Sequence, residues 1–182
     1  MSEKDDKTTA QYLISQIKAA ASVSESEDLS IIFQGSEKYK KRNFYNNELE
    51  HISESAKLEK LFEIEEKLRN SNSKISDIEG VGYNEVESDQ RFYNSYGLKL
   101  ATKQNYYYYH ASVVAKDGDD VKTSYKVFLD NDFTKFDVDS FVNDLSESVI
   151  KKLGGKPTAT KSYPVVFNPR MTASLLGAYL SS

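Results

Sequence analysis

The spacing of hydrophobic and polar residues predicts helices at both ends of the chain and strands in the middle. Near the amino terminus, apolar residues recur at intervals of three and four, which predicts a first helix that begins near Thr8 or Thr9, whose hydroxyls can cap it. An acidic linker, residues 22–28, follows it. The short apolar run 29–33 is either a strand or a segment held to the core through Ile32 and Phe33. A second helix is predicted over residues 55–70, with a stripe of Leu58, Leu61, Phe62, Glu65 and Leu68.

From Ile75 onward the helical period gives way to strand-like segments. They lead to Gly97, where a tight turn needs the positive φ that glycine tolerates. A second stretch runs from Leu98 to Ala115, and an Asp-Gly turn separates it from a partner strand over residues 121–129. Because Asp-Gly between two such runs is a strong hairpin signal, these segments predict an antiparallel meander.

Two further helices are predicted after the strands. Asp137 suits the capping position of the third, which Gly154-Gly155 closes, and its stripe is Phe141, Val142, Leu145, Val149, Ile150 and Leu153. Residues 163–167 predict a short buried strand, and Asn168-Pro169 opens a last helix with apolar Met171, Leu175, Leu176 and Tyr179. The expected fold class is therefore α+β, an antiparallel β-meander with amphipathic helices packed on it.

Composition excludes several classes of function. The 182 residues include no Cys and two His, so thiolate nucleophiles, disulfides and the usual zinc cages are not expected. The formal net charge of −4 argues against general binding to nucleic acid, which needs a concentrated positive field. The amino terminus is polar and no apolar run approaches a membrane span, so we expect a cytoplasmic protein without membrane contact.

Three local motifs have both a functional and a structural interpretation. The basic stretch 38–42, followed by Phe44 and Tyr45, is either a platform for single strands or, as we favour, a solvated loop facing the acidic helix that follows. The acidic residues around Gly118 resemble a calcium loop but lack its ligand series, and a hairpin turn explains them. His51 lies among glutamates near a helix start, where an exposed polar position is the simpler interpretation.

The run of four tyrosines, residues 106–109, is the main candidate for contacts with a ligand. Side chains of a strand alternate between its faces, so half of the run is expected to pack against helices and the other half to be exposed. An exposed tyrosine has amphipathic area suited to gripping a peptide or partner, although packing alone also explains the run. We predict peptide or partner contacts at Tyr107 and Tyr109, and at Asn94 and Ser95 before the Gly97 turn.

Three stretches resemble the central part of the PmbA/TldD family, which is also described as a modulator of DNA gyrase and as a peptidase family. The first is residues 77–83 followed by 92–98, with Asn94-Ser95-Tyr96-Gly97 similar to the family's N-S-x-G hairpin. The second is Val113-Val114-Ala115 with its Asp-Gly turn. The third is the helix ending at Leu153-Gly154-Gly155, then residues 162–169 and Leu175-Leu176.

The resemblance implies a middle domain without the family's N-terminal α/β portion and large C-terminal β-rich domain. On this basis we expect an N-terminal helix and irregular linker over residues 1–47, and a central domain over residues 48–182 that is truncated at its last helix. TldD-like members carry an H-E-x-x-x-H zinc motif on that helix, where this sequence has Gly177-Ala178-Tyr179-Leu180-Ser181-Ser182. The resemblance is therefore to the PmbA-like branch, also called TldE, and we expect no cofactor here and zinc only in a TldD-like partner.

The resemblance also implies a function. Members form a heteromeric protease that cuts unfolded peptides and matures peptide antibiotics, so we expect a non-catalytic segment that contributes subunit contacts and a cavity wall. The partner is a TldD-like subunit or a second copy. One alternative is a stand-alone peptide- or protein-binding module that uses the tyrosine-rich strand. Another is an intact metallopeptidase whose missing ligands come from another chain.

Overall fold

The computed structural model describes residues 6–24 and 32–180. The chain divides into two compact units. The first, called the hairpin unit, comprises Met1–Phe44 and Glu87–Gln104. The second, called the core unit, comprises Tyr45–Val86 and Asn105–Ser182.

The strands form one sheet in the order predicted from the sequence. Strand β1 spans Ile75–Tyr93, β2 spans Lys99–Asp117 and β3 spans Asp120–Asp130, with β2 in the middle. β2 and β3 are antiparallel, in a register that runs from Asp117 opposite Asp120 to Tyr107 opposite Asp130. Gly97 and Gly118 both have positive φ, at 86° and 60°, so the two predicted turns are confirmed.

Two α-helices precede the strands in the sequence and two follow them. They are α1 (Lys7–Val23), α2 (Glu54–Ser71), α3 (Val138–Ile150) and α4 (Pro169–Leu180). Two 3-10 helices, at Asn47–His51 and Phe133–Lys135, complete the regular structure of the described residues. Within those residues, none of the helices has the length and hydropathy that a bilayer span requires.

The core lies on one face of the sheet, beneath α2 and α3, which confirms the predicted α+β class. Alternate residues of β2 from Asn105 to Ala115 point toward the helices and are buried. β3 adds Ser124 and the partly buried Phe128 to this face. The helices cover it with their own buried residues. The largest fully buried side chains of the core are Tyr107, Tyr109, Phe141, Leu49, Ile64, Leu68, Leu145, Val113 and Val149. This burial is the main source of stability in the core unit.

Helix α2 buries a stripe that matches the predicted one only in part. Ile64 and Leu68 are its buried residues, whereas Leu58 is half exposed and Phe62 is 68% exposed. The buried positions are four residues apart, as expected of one helical face, but the face is rotated away from Leu58, Phe62 and Glu65. The prediction is confirmed for Leu68, which is buried, and for Leu61, which packs against the core. It was wrong for the exposed Leu58 and Phe62, and it left out Ile64.

Two other local predictions also need correction. Residues 163–167 are not a strand in the structure, and their side chains are exposed, with Val166 at 97%. No described strand lies beside them, and an apolar run without a partner strand has no ladder to join. Helix α1 is capped by Asp6, whose Oδ1 accepts from the Thr9 N–H at 2.7 Å, rather than by Thr8 or Thr9.

The apolar run before the basic stretch is only partly described. Leu29, Ser30 and Ile31 lie outside the described residues, as does most of the predicted linker. Ile32 and Phe33 are exposed and irregular, so their side chains do not hold this segment to a core. The Phe33 carbonyl, by contrast, accepts a hydrogen bond from Asn94 Nδ2 at 2.6 Å.

The Asp137 cap should contribute measurably to the stability of the core unit. Asp137 Oδ1 accepts from the Ser140 N–H at 2.6 Å and satisfies a donor that the first turn of α3 leaves free. We expect Asp137→Ala to lower the free energy of unfolding by about 1 kcal/mol. Urea unfolding measures this change, and Asp137→Asn, which keeps an acceptor, serves as the control. Equal losses in the two variants would contradict a capping role.

Candidate functional site

The tyrosine run separates into two sets, as the alternation of strand side chains requires. Tyr107 and Tyr109 have no exposed surface, whereas Tyr106 and Tyr108 are partly exposed on the opposite face. The rings of Tyr109 and Phe136 stack 4.3 Å apart at an interplanar angle of 11°. A fully buried ring cannot touch a peptide at the surface. The prediction of contacts at Tyr107 and Tyr109 is therefore corrected to core packing.

The buried hydroxyls of these two tyrosines are satisfied inside the core unit. Tyr107 donates to the Asp132 carbonyl and Tyr109 donates to the Lys57 carbonyl, each at 3.1 Å. Burial raises the pKa of both phenols well above the usual range, and the nearby Asp130 raises that of Tyr107 further. Both groups therefore stay neutral and act as structural donors.

Asn94 organises the turn between β1 and β2 in the hairpin unit. Its Oδ1 accepts from the backbone N–H groups of Tyr96 and Leu98, each at 3.0 Å, and its Nδ2 holds the Phe33 carbonyl. Ser95 is exposed beside it at the tip of the turn. Asn94 is therefore used to shape the turn, and Ser95 is the more accessible of the two predicted contact residues.

The sheet face opposite the helices is the first candidate surface, called the open face. It is formed by alternate residues of β2 and β3 in the core unit, and its main members are Tyr106, Tyr108, His110, Ser112, Tyr125 and Leu129. Leu129 is 59% exposed and Tyr125 is 48% exposed. The His110 ring lies 6.0 Å from those of Tyr108 and Tyr125, so the three rings form a continuous row.

A glycine of β1 makes room for the central ring of that row. A Cβ placed on Gly82 would lie 2.2 Å from His110 Nε2, closer than real atoms approach. Nearby, the Ser112 hydroxyl donates to the Glu79 carboxylate. Because this hydroxyl is bound to a carboxylate instead of an imidazole, the arrangement is not that of an activated serine. The open face offers rings, hydroxyls and one imidazole, which suit recognition.

The second candidate surface is an open groove in the hairpin unit, called the basic groove. It has a volume of about 730 Å³ and lies between the extended segment that ends at Phe44 and the neighbouring part of the β1–β2 hairpin. Its lining combines cations, aromatic rings and small polar groups: Tyr39, Lys40, Lys41, Arg42, Phe44, Gln90, Phe92, Lys99, Leu100, Ala101 and Thr102. The basic stretch noted in the sequence thus forms one wall of this groove.

Two of the acidic residues around Gly118 form ion pairs within the fold, and His51 lies at the surface. Asp117 pairs with Lys74 at 2.6 Å, and Asp120 pairs with Lys122 at 2.5 Å. The Lys122 ammonium and the Gly154 N–H lower the pKa of the Asp120 carboxyl. His51 is exposed at the end of the 3-10 helix that begins at Asn47. Within residues 6–24 and 32–180, no three His, Cys, Asp or Glu side chains come together as a metal site.

Sequence reasoning missed most members of both surfaces, although one signal for the open face was present. The odd-numbered residues of β2 continue as Ala111, Val113 and Ala115, while the even-numbered ones include His110 and Ser112. A strand buries the face that is apolar throughout its length. This pattern assigns Tyr107 and Tyr109 to the core. No local signal links Lys40 to Phe92 and Lys99, which approach each other only in the folded hairpin unit.

Comparison with known protein families gives a match over the middle of the chain. Residues 47–153 match the family model described as the PmbA/TldA metallopeptidase central domain. No curated protein sequence gives a significant match.

Three solved structures share the fold. A proposed modulator of DNA gyrase from Bacteroides thetaiotaomicron has a TM-score of 0.81 at 17% identity, covering 99% of this chain and 42% of that one. TldE from Thermococcus kodakarensis has a TM-score of 0.63 at 21% identity, covering 82% and 34%. A proposed modulator of a DNA gyrase from Thermotoga maritima has a TM-score of 0.61 at 15% identity, covering 71% and 30%. The chain thus spans well under half the length of each.

Proposed function

Because the chain belongs to the family of the PmbA/TldA metallopeptidase central domain, we propose that it serves as a non-catalytic, PmbA-like segment in a peptide-handling assembly. In this proposal it pairs with a TldD-like subunit or with a second copy, contributes contacts between subunits and forms part of a cavity wall. The similarity to TldE supports the choice of partner. The assembly would act on unfolded peptides, by proteolysis or by maturation.

The observation that carries the proposal is the large apolar surface of α4. Met171, Leu175, Leu176 and Tyr179 are all about half exposed or more, and no residue of this helix is buried. Residues 163–167, directly before it, also expose an apolar run. Exposed apolar surface of this extent marks an interaction site, because its removal from water is favourable.

The open face is suited to be the cavity wall. Its rings have apolar area for side chains of a peptide, and its hydroxyls and imidazole can bond with peptide groups. It lies on a sheet whose other side is packed, so its geometry is preorganised.

We infer that the part of this chain that the structure describes does not itself hold zinc. Helix α4 carries Gly177 and Ala178 at the start of the stretch where the metal motif would lie, and neither has a ligating side chain. The described part of the chain brings no three suitable donors together elsewhere. We therefore propose that zinc, where the assembly uses it, is held by the TldD-like partner.

Substitution on α4 tests the subunit contact. We expect Leu175→Asp to weaken association with a TldD-like subunit at least tenfold, because the charge would be buried in the interface. Ala173→Asp, on the opposite face of the same helix, adds the same charge and should leave association unchanged. Sedimentation velocity of the full chain, alone and with the subunit, measures both pairing and self-association. Equal behaviour of the two variants would refute the proposed role of α4.

A stand-alone binding module remains a second candidate because the open face exposes an aromatic row without help from another chain. In that case the chain alone should bind a labelled unfolded polypeptide, and Tyr108→Ala should abolish this binding while thermal unfolding is preserved. Binding that requires the TldD-like subunit would instead favour the assembly.

A further inference from the structure

Among the described residues, the cations that line the basic groove lack the ion-pair partners that Arg91 and Lys103 have in the same unit. Arg91 pairs with Asp89 at 3.2 Å and Lys103 pairs with Glu87 at 2.8 Å. Among the described residues, Lys40, Lys41, Arg42 and Lys99 form no ion pair. No Asp or Glu lines the groove either. Four uncompensated positive charges around one opening favour an anionic occupant.

The backbone around the groove favours an extended occupant. The pairing between β3 and β2 ends at Tyr107. Closer to the Gly97 turn, Gln104 of β2 forms an isolated parallel bridge with Phe44. From Thr102 back to Lys99, no strand within the described residues pairs with β2 on the side away from β1. Unpaired backbone groups along a strand edge are a template for adding another strand.

The remaining lining residues favour a chain with apolar side chains among its charges. Tyr39, Phe44 and Phe92 provide rings, and Leu100 and Ala101 provide aliphatic surface. Side chains of an added strand alternate, so one set could meet the rings while the other meets the cations.

We propose that the basic groove binds an acidic peptide segment in extended conformation, with its carboxylates at Lys40, Lys41, Arg42 and Lys99. The peptide's backbone pairs with the free edge of β2 between Lys99 and Thr102. A peptide fits better than nucleic acid because only a peptide backbone can add a strand to this edge of β2. This site lies in the hairpin unit and is independent of the α4 contact and of the open face.

The test uses the full chain and a fluorescein-labelled synthetic peptide in which Glu alternates with Val. Fluorescence anisotropy should show saturable binding that weakens as salt is added, since screening reduces attraction between exposed charges. A peptide with Lys in place of Glu should bind at least about tenfold more weakly. Equal binding of the two peptides would overturn the proposal. Tighter binding of a single-stranded oligonucleotide of equal charge would overturn it in favour of nucleic acid.

A charge-matched pair of variants locates the site. We expect Lys40→Glu with Arg42→Glu to weaken binding of the acidic peptide at least about tenfold. Lys18→Glu with Lys156→Glu changes the net charge equally at exposed positions outside the groove, and should have a small effect. Equal losses in both double variants would show long-range electrostatics only and refute the groove. The neutral pair Lys40→Gln with Arg42→Gln replaces the charge reversal if that variant does not fold.

Peptide chemistry tests the extended backbone. Two versions of the acidic peptide are made, one N-methylated at its odd-numbered residues and the other at its even-numbered residues. Each version keeps all its charges but loses the backbone N–H donors along one edge of the extended peptide. One version should bind at least about tenfold more weakly than the unmodified peptide, because each strand edge needs its own set of N–H groups. Unchanged binding of both versions would rule out pairing with β2.

Discussion

Tyr109→Ala should lower the free energy of unfolding by about 3–5 kcal/mol, the largest effect expected of any substitution described for this chain. The side chain has no exposed surface, and its ring stacks on Phe136 at 4.3 Å. Truncation leaves a cavity between β2 and the helices, because a packed core relaxes only in part. It also removes the donor that satisfies the Lys57 carbonyl. Urea unfolding followed by circular dichroism measures the change.

The matched control is the preceding residue of the same strand. Tyr108 has the same side chain but faces the opposite side of the sheet, where it is partly exposed. Tyr108→Ala should cost about 1 kcal/mol or less, mainly through lost contacts with His110 and Leu129. Similar losses at the two positions would show that the assignment of faces on β2 is wrong.

Alkaline pH should unfold the core unit through the same buried phenols. Burial raises the native pKa of Tyr107 and Tyr109, whereas an unfolded tyrosine titrates near pH 10. The stability they contribute is fully present below about pH 10 and is lost as the pH rises toward the native pKa values. In that window, each phenol should reduce the free energy of unfolding by about 1.4 kcal/mol per pH unit. The two phenols together should reduce it by about 3 kcal/mol per pH unit.

A double phenylalanine variant isolates the effect. Tyr107→Phe with Tyr109→Phe keeps the rings and removes both titrating groups, so the loss of stability above about pH 10 should become much shallower. Part of the loss of stability with rising pH should remain, because the pKa of Tyr83 is also raised by burial and by its hydrogen bond to Glu85. Urea unfolding over this pH range, together with tyrosinate absorbance, measures both slopes. An unchanged slope in the variant would exclude these two tyrosines as its cause.

Features set by local interactions were predictable from the sequence. The cap at Asp137 and the glycine turns at Gly97 and Gly118 follow from hydrogen bonds and φ values within a few residues. The period-two pattern of β2 likewise predicts alternating faces. Local signals of this kind also carried the resemblance to the family that residues 47–153 match.

Features that depend on distant residues were predicted less well. The predicted stripe of α2 included Leu68, which is buried, but it also included the exposed Phe62 and left out the buried Ile64. Residues 163–167 are apolar enough for a strand, but a strand exists only where another lies beside it. The basic stretch was interpreted as a loop facing the acidic helix, whereas its aromatic and basic neighbours in the groove come from residues 90–102.

The sequence by itself determined the four helices, the three strands of the meander and its two turns, because capping, backbone φ preference and side-chain period act over a few residues. Only the tertiary structure decided which face of each element is covered. That decision set Tyr107 and Tyr109 in the core, left Tyr108 and His110 on the open face, and brought Lys40 into one groove with Lys99. Burial depends on what residues far along the chain can cover, and the spacing within one segment does not contain that information.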